Sequence, residues 1–226
     1  ALERVRQISR HPALAASSRP WIASAALAYF AMWSAEPVQS LTMGGQLLHQ
    51  AERNQDAQQL QWAHCMVGCA HLLLGRLTLA REHLDLALEH PRLGYDHLQD
   101  LLLGIDVGNM ALNWKSFLLW QLGYPDQSYR YLREALSTAQ ESGYSISLAH
   151  SRNMASMILS LCARNATAAG QQIQALRESS EIILPYRALA DSLAGSEAMG
   201  RMPDEQILQQ MRQGLASYQT TGSGLG

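Results

Sequence analysis

The chain has 226 residues, of which 47% are apolar, and its 17 basic and 19 acidic side chains leave a formal net charge of −2. That balance gives no electrostatic reason to expect nucleic acid or anionic lipid as a partner. No apolar run approaches the roughly twenty residues of a membrane span, no signal peptide opens the chain, and three cysteines make no disulfide framework, so a reducing cytoplasm is expected. Charged residues are only 16%, against about a quarter in ordinary globular proteins, which points to a surface partly covered by a partner or by the rest of a larger protein.

In chain order, Pro20 suits the first turn of a helix over Trp21–Trp33, and Pro37 suits the next, over Val38–Arg53. Asp56 can cap a helix that runs to Leu74 and ends at Gly75; Thr78–Glu89 follows and stops before Pro91. Arg92–Asn109, rich in Gly and Asp, reads as an insertion with a short helix across Leu98–Leu103. Met110–Leu122 closes at Gly123, and Pro125-Asp126 opens a long helix to about Glu141, ended by Gly143. Ser147–Arg164 with Ala168–Ile183, and Tyr186–Met199 with Pro203–Tyr218, complete five helix pairs. No segment carries the alternation of a strand, so the fold class is all-α.

A small residue, an aliphatic four positions on and a small residue three further recur as Gly44/Leu48/Ala51, Ala80/Leu84/Ala87, Ser128/Leu132/Ala135 and, more loosely, Ile207/Met211/Gly214. Ala169/Ile173/Leu176 fits only in part. Gly68 precedes Ala80, and Ser116 precedes Ser128, by twelve residues. This is the skeleton of a tetratricopeptide (TPR) unit, two antiparallel helices whose close crossing demands small side chains. The closing residues Ala51, Ala87, Ala135 and Gly214 step by 36, 48 and 79 residues, so the units are nearer 40 residues than the usual 34. The expected architecture is one TPR-like domain over residues 1–226, a right-handed superhelix of five helix pairs.

The segments Gln46-Leu47-Leu48…Ala51-Glu52-Arg53, Ala80–Leu88, Leu119-Trp120-Gln121-Leu122-Gly123-Tyr124-Pro125-Asp126-Gln127 and Arg212–Tyr218 recur in an order that carries a resemblance. From Pro37 to Gly226 the chain resembles the C-terminal TPR region of bacterial multidomain regulators. In those proteins a STAND-type ATPase module precedes the array, behind a class III nucleotide cyclase or a winged-helix transcriptional head. The resemblance implies a sensory or autoregulatory arm and a neighbouring ATPase module as partner. It departs at Ile207, where the family more often has a small residue. The start at Ala1 and the Gly222-Ser223-Gly224-Leu225-Gly226 ending read as a fragment of a longer polypeptide.

Chemistry is sparse. No P-loop, His-Glu-x-x-His, Gly-x-Ser-x-Gly or Cys-x-x-Cys motif occurs, so no enzyme and no cofactor are expected. Cys65 and Cys69 lie one turn apart, flanked by His64 and His71. The histidines sit off the cysteine line, so a packed helix without a metal is the reading. His83, His90 and His97 share a seven-residue spacing that Pro91 interrupts. If first helices line a concave face, they project Tyr29, Trp33, Trp62, Cys65 and Cys69, then Met110, Asn113, Phe117 and Trp120 into it. The binding groove is therefore placed on Tyr29, Trp33, Trp62, Asn113, Phe117 and Trp120, facing a protein or peptide partner. The competing readings are core packing of these same residues, a small-molecule effector in the groove, and a homodimer interface.

Overall fold

The computed structural model describes residues 19–34, 36–89, 105–162, 165–179, 190–191, 194 and 204–220. Among them are nine α-helices and one π-helical turn, with no strand. They are α1 (Arg19–Trp33), α2 (Pro37–Asn54), α3 (Ala57–Leu73), α4 (Leu77–Glu89), α5 (Val107–Gln121), α6 (Pro125–Ser142), α7 (Ser145–Met157, continued by the π turn Ile158–Cys162), α8 (Ala166–Ser179) and α9 (Asp204–Thr220). The chain divides into two compact units, Ala1–Leu103 with α1–α4 and Gly104–Gly226 with α5–α9. The division falls within the stretch read as an insertion. The expected short helix at Leu98–Leu103, His90 and His97, and most of Tyr186–Met199 lie outside the described residues.

Consecutive helices pack on one another from α1 to α4 and from α5 to α8, and α1 also meets α3 as α5 meets α7. The two helix types differ as their sequences require. The second helices α2, α4 and α6 bury one stripe: Ser40, Gly44, Leu47 and Ala51 on α2, for example. The first helices have no polar face to spare. α3 buries every residue from Gln61 to Leu72 except His64, and α5 every residue from Val107 to Ser116. Both helices are surrounded along these runs, and the polar side chains in them, Gln61, Asn109, Asn113 and Lys115, are buried with the rest.

Three hairpins repeat one geometry to the residue. A small residue of the first helix (Ala28, Gly68, Ser116) is followed eight positions on by the turn residue (Glu36, Arg76, Tyr124). Twelve positions on comes the small residue of the second helix (Ser40, Ala80, Ser128). The turn N–H donates five residues back in each case: Glu36 to Ala31 at 3.0 Å, Arg76 to His71 at 2.9 Å and Tyr124 to Leu119 at 2.9 Å. In the second and third hairpins this closes a Schellman cap on a left-handed glycine, Gly75 (φ 72°) and Gly123 (φ 82°). The crossings are close enough to bring backbone within reach of side chains. Ser40 Oγ donates to Ala28 O at 3.1 Å, and Ser116 Oγ donates to Ser128 O at 2.9 Å. A Cβ added to Gly68 would lie 2.8 Å from Leu84 Cγ and 3.2 Å from its backbone nitrogen.

This register corrects the first set read from sequence. Leu48 is only half-buried while Leu47 is buried, so the stripe of α2 is Ser40/Gly44/Leu47 and starts one turn earlier than Gly44/Leu48/Ala51. The other stripes, Ala80/Leu84/Ala87, Ser128/Leu132/Ala135 and Ala169/Ile173/Leu176, are buried as spaced. The fourth hairpin differs by one residue. Its turn N–H, on Asn165, reaches six residues back to Leu159 O at 2.8 Å. The π turn at Ile158–Cys162 absorbs that extra residue. Counted by the acceptor three positions on, the small residue here is Ser156, and Ala28, Gly68, Ser116 and Ser156 follow at 40, 48 and 40 residues. On α9, Gly214 is buried and Met211 half-buried, whereas Leu208 and Leu215 are exposed.

Two glycines separate intrinsic helix preference from crossing geometry. Gly45 has nothing within 4 Å of an added Cβ, so Gly45→Ala should raise the urea midpoint by the equivalent of about 0.5–1 kcal/mol. Gly68→Ala gains the same preference but meets Leu84, an overpacking cost of about 1–3 kcal/mol, and its midpoint should fall. Equal gains at both sites would contradict the crossing.

Candidate functional site

The residues expected to line a groove divide between the two units. In the first, Trp62 is fully buried, with Tyr29 edge-on to it at 6.5 Å and to Trp33 at 6.1 Å. Tyr29 and Trp33 are half-buried. Cys65 and Cys69 are wholly buried, and the Cys69 thiol is pushed well up by burial and by its hydrogen bond with Cys65. In the second unit Met110 and Asn113 are fully buried, while Phe117 and Trp120 are half-buried. Trp62, Cys65, Cys69, Met110 and Asn113 are thus core residues. α3 and the first three turns of α5 are enclosed, which takes Trp62 and Asn113 off any open surface, whereas Tyr29, Trp33, Phe117 and Trp120 stay partly exposed.

Asn113 has a structural task. Its Nδ2 donates to Asn109 O at 2.9 Å, Asn109 Oδ1 at 3.2 Å and Ser151 Oγ at 2.9 Å. Asn109 Nδ2 in turn donates to Ala135 O and, at 3.1 Å, to Thr138 Oγ1. Ser151 Oγ donates to Asn109 Oδ1 at 3.1 Å. One buried network therefore ties α5 to α6 and α7 through groups that would be costly to bury unpaired. The first unit carries an equivalent tie, Gln61 Nε2 donating to Ala87 O at 3.0 Å. Both donors stand seven residues before the crossing residue, and both acceptors stand nineteen after it.

Phe117 and Trp120 lead to a concavity of the second unit. They pack, with Tyr129, Leu136 and Leu159, against a core of Leu132, Ala155 and Ile158, and Trp120 meets the Tyr129 ring edge-on at 5.6 Å. Beside this cluster lies a groove of about 620 Å³ between α6 and α8, both of which pack on α7. Its floor is Leu132, Leu136, Ala155 and Leu159; Asp126, Tyr129, Arg133, Asn165 and Gln172 form the rim. Leu159 of the floor lies in the π turn, a distortion that often marks functional sites. Asn165 is held at the rim by capping α8, its Oδ1 accepting from Ala168 N at 3.1 Å. The sequence did carry a trace of this site: the fourth unit fails the repeat pattern by one residue, and that residue makes the π turn.

The cysteine–histidine run does not act as one cluster. His64 and His71 meet His83 of α4, and among the described residues no group of three His, Cys, Asp or Glu side chains could hold a metal. Among the described residues no helix is long and apolar enough to cross a membrane. Trimming the aromatics should separate core from groove. Trp62→Ala should cost about 3–5 kcal/mol of stability, whereas half-buried Trp120→Ala should lower the denaturant midpoint less. A Trp62→Ala midpoint near wild type would return Trp62 to the surface.

No protein-family model, curated protein or solved structure matches this chain.

Proposed function

We propose that this chain is a TPR-type interaction domain without catalytic chemistry of its own, the sensory or autoregulatory arm of a bacterial signalling protein. The observation that carries the reading is the hairpin register, in which the same small-residue crossing, turn bond and buried stripe return at 40 or 48 residues. Repeats of this kind stack helix pairs into extended surfaces that suit binding. The resemblance to arrays that follow STAND-type ATPase modules supports a neighbouring module or a partner protein as the target, in a reducing cytoplasm.

The groove between α6 and α8 is the proposed contact. Its apolar floor suits one side of an amphipathic helix or extended segment. The exposed Arg133 at its rim suits a carboxylate on that segment. The half-buried Tyr129 adds aromatic area, of the kind that dominates binding hot spots. A displayed-peptide library selected on the domain should yield apolar sequences flanked by acidic residues. Arg133→Glu and Leu136→Arg should weaken their binding by about tenfold or more, the equivalent of about 1.4 kcal/mol. Val38→Arg, at an exposed position on α2, should leave it unchanged. Peptides that bind all three variants equally would place the contact elsewhere.

A further inference from the structure

Three histidines converge where α3 crosses α4. His64 Nδ1 and His83 Nδ1 are 3.0 Å apart, with ring centroids at 5.2 Å. His71, two turns beyond His64, stacks on His83, with ring centroids 5.7 Å apart and planes inclined by 27°. Two facing ring nitrogens at this distance bond only when one carries a proton and the other a lone pair. A proton on both would set two N–H groups against each other. His71 is buried, and its Nδ1 has no hydrogen-bond partner.

Among the described residues, the charged and titratable groups on the elements packed around the trio are few. On α4, Glu82 favours protonation of His83, but Glu82 itself is exposed, as is Glu89. Arg81 and Asp85 pair with each other at 3.8 Å. From the α3–α4 turn, Arg76 acts on His71 and opposes its protonation. On α2, His49, Glu52 and Arg53 are exposed, and α1 has no carboxylate, imidazole or cationic group among its described side chains. The remaining titratable groups of α3, Cys65 and Cys69, are buried, and burial pushes the Cys69 thiol well up.

We propose that the α3–α4 crossing is an acid-operated joint: at neutral pH His64 and His83 hold it closed by one N–H···N bond, and in mild acid further protonation of the trio loosens the two helices. The cluster belongs to the first unit and does not depend on the groove of the second. Burial, then the neighbouring His83 and Arg76, lowers the affinity of His71 for its proton; burial lowers that of His83. The unfolded or opened chain therefore takes up the proton first as pH falls below about 6.5. The stabilisation is complete above that value and is lost as pH descends towards the lowered ones. Loosening α4 would also release Leu84 from Gly68, the contact that fixes this hairpin.

The test is hydrogen exchange of the full chain with EDTA present, corrected for intrinsic rates, from about pH 7.5 to about pH 5.5, a window that brackets the ordinary histidine value. Protection of α3 and α4 amides should fall several-fold, and that of α5 and α6 should hold, since burial keeps His150 of α7 down at about 4 and neutral throughout. His83→Gln or His64→Gln, whichever folds, should flatten the fall. An NMR titration of the wild-type imidazoles, which needs no variant, should place His71 and His83 below the ordinary histidine range. Constant protection of α3 and α4, an undiminished fall in the folded variant, or imidazoles titrating in the ordinary range would each overturn the proposal.

Discussion

The distance between the two helices of each hairpin governs the rest of the structure. Helices that cross closely need side chains of almost no volume at the contact, and the chain supplies Ala28 with Ser40, Gly68 with Ala80 and Ser116 with Ser128. Once backbones come this near, carbonyls turn into partners for side chains of the other helix, as Ser40 and Ser116 show. The turn then has little freedom. Eight residues from the first crossing residue to the turn, and four more to the second, close these three hairpins with the same five-residue-back bond. Proline at the start of α2 and α6 loses nothing by lacking an N–H there.

Close crossing also explains the polar character of the core. Small residues bury little apolar area, so the hairpins add directional ties. Asn109 and Gln61 occupy matching positions and hold matching carbonyls, Ala135 O and Ala87 O. Ala87 lies in the last turn of α4, where carbonyls lack an intrahelical donor; Gln61 supplies one from the neighbouring helix. In the second unit the tie extends to Asn113, Ser151 and Thr138. Removing one member leaves the others buried and unsatisfied, a penalty of about 1–3 kcal/mol for each orphaned group. Such a network fixes register more sharply than apolar contact can, because a one-turn slip would break every bond in it that runs between helices.

Most of the fold was legible in the sequence because punctuation and periodicity agree. Gly75, Gly123 and Gly143 end helices with positive φ, and Asp56 caps α3 through Gln58 N and Gln59 N. Two features were not legible. Gln55 takes a left-handed φ of 50° that an unbranched residue tolerates without announcing it, and the stripe of α2 lies one turn earlier than spacing alone suggests because Leu47 and Leu48 are equal as hydrophobes. The site was harder. Trp62 and Asn113 look like binding residues by type, and only burial separates a core asparagine from a contact asparagine. The groove depends on a single inserted residue near Ile158, which a search for conforming repeats discards as degeneracy. Histidines on two helices, His64 and His83, gave no spacing signal because the turn that brings them together lies between them.

The hairpin register is tested most directly by a chemical ruler across one crossing. Ser116 Oγ and Ser128 Oγ are 3.2 Å apart, so cysteine side chains at these two positions can reach one another, as a disulfide requires. Mild oxidation of native Ser116→Cys/Ser128→Cys should join the two residues, as read by peptide mass mapping, while Ser116→Cys/Leu132→Cys, one turn displaced, should stay reduced. A reduced 116–128 pair beside an oxidised 116–132 pair would move the crossing by a turn and contradict the account.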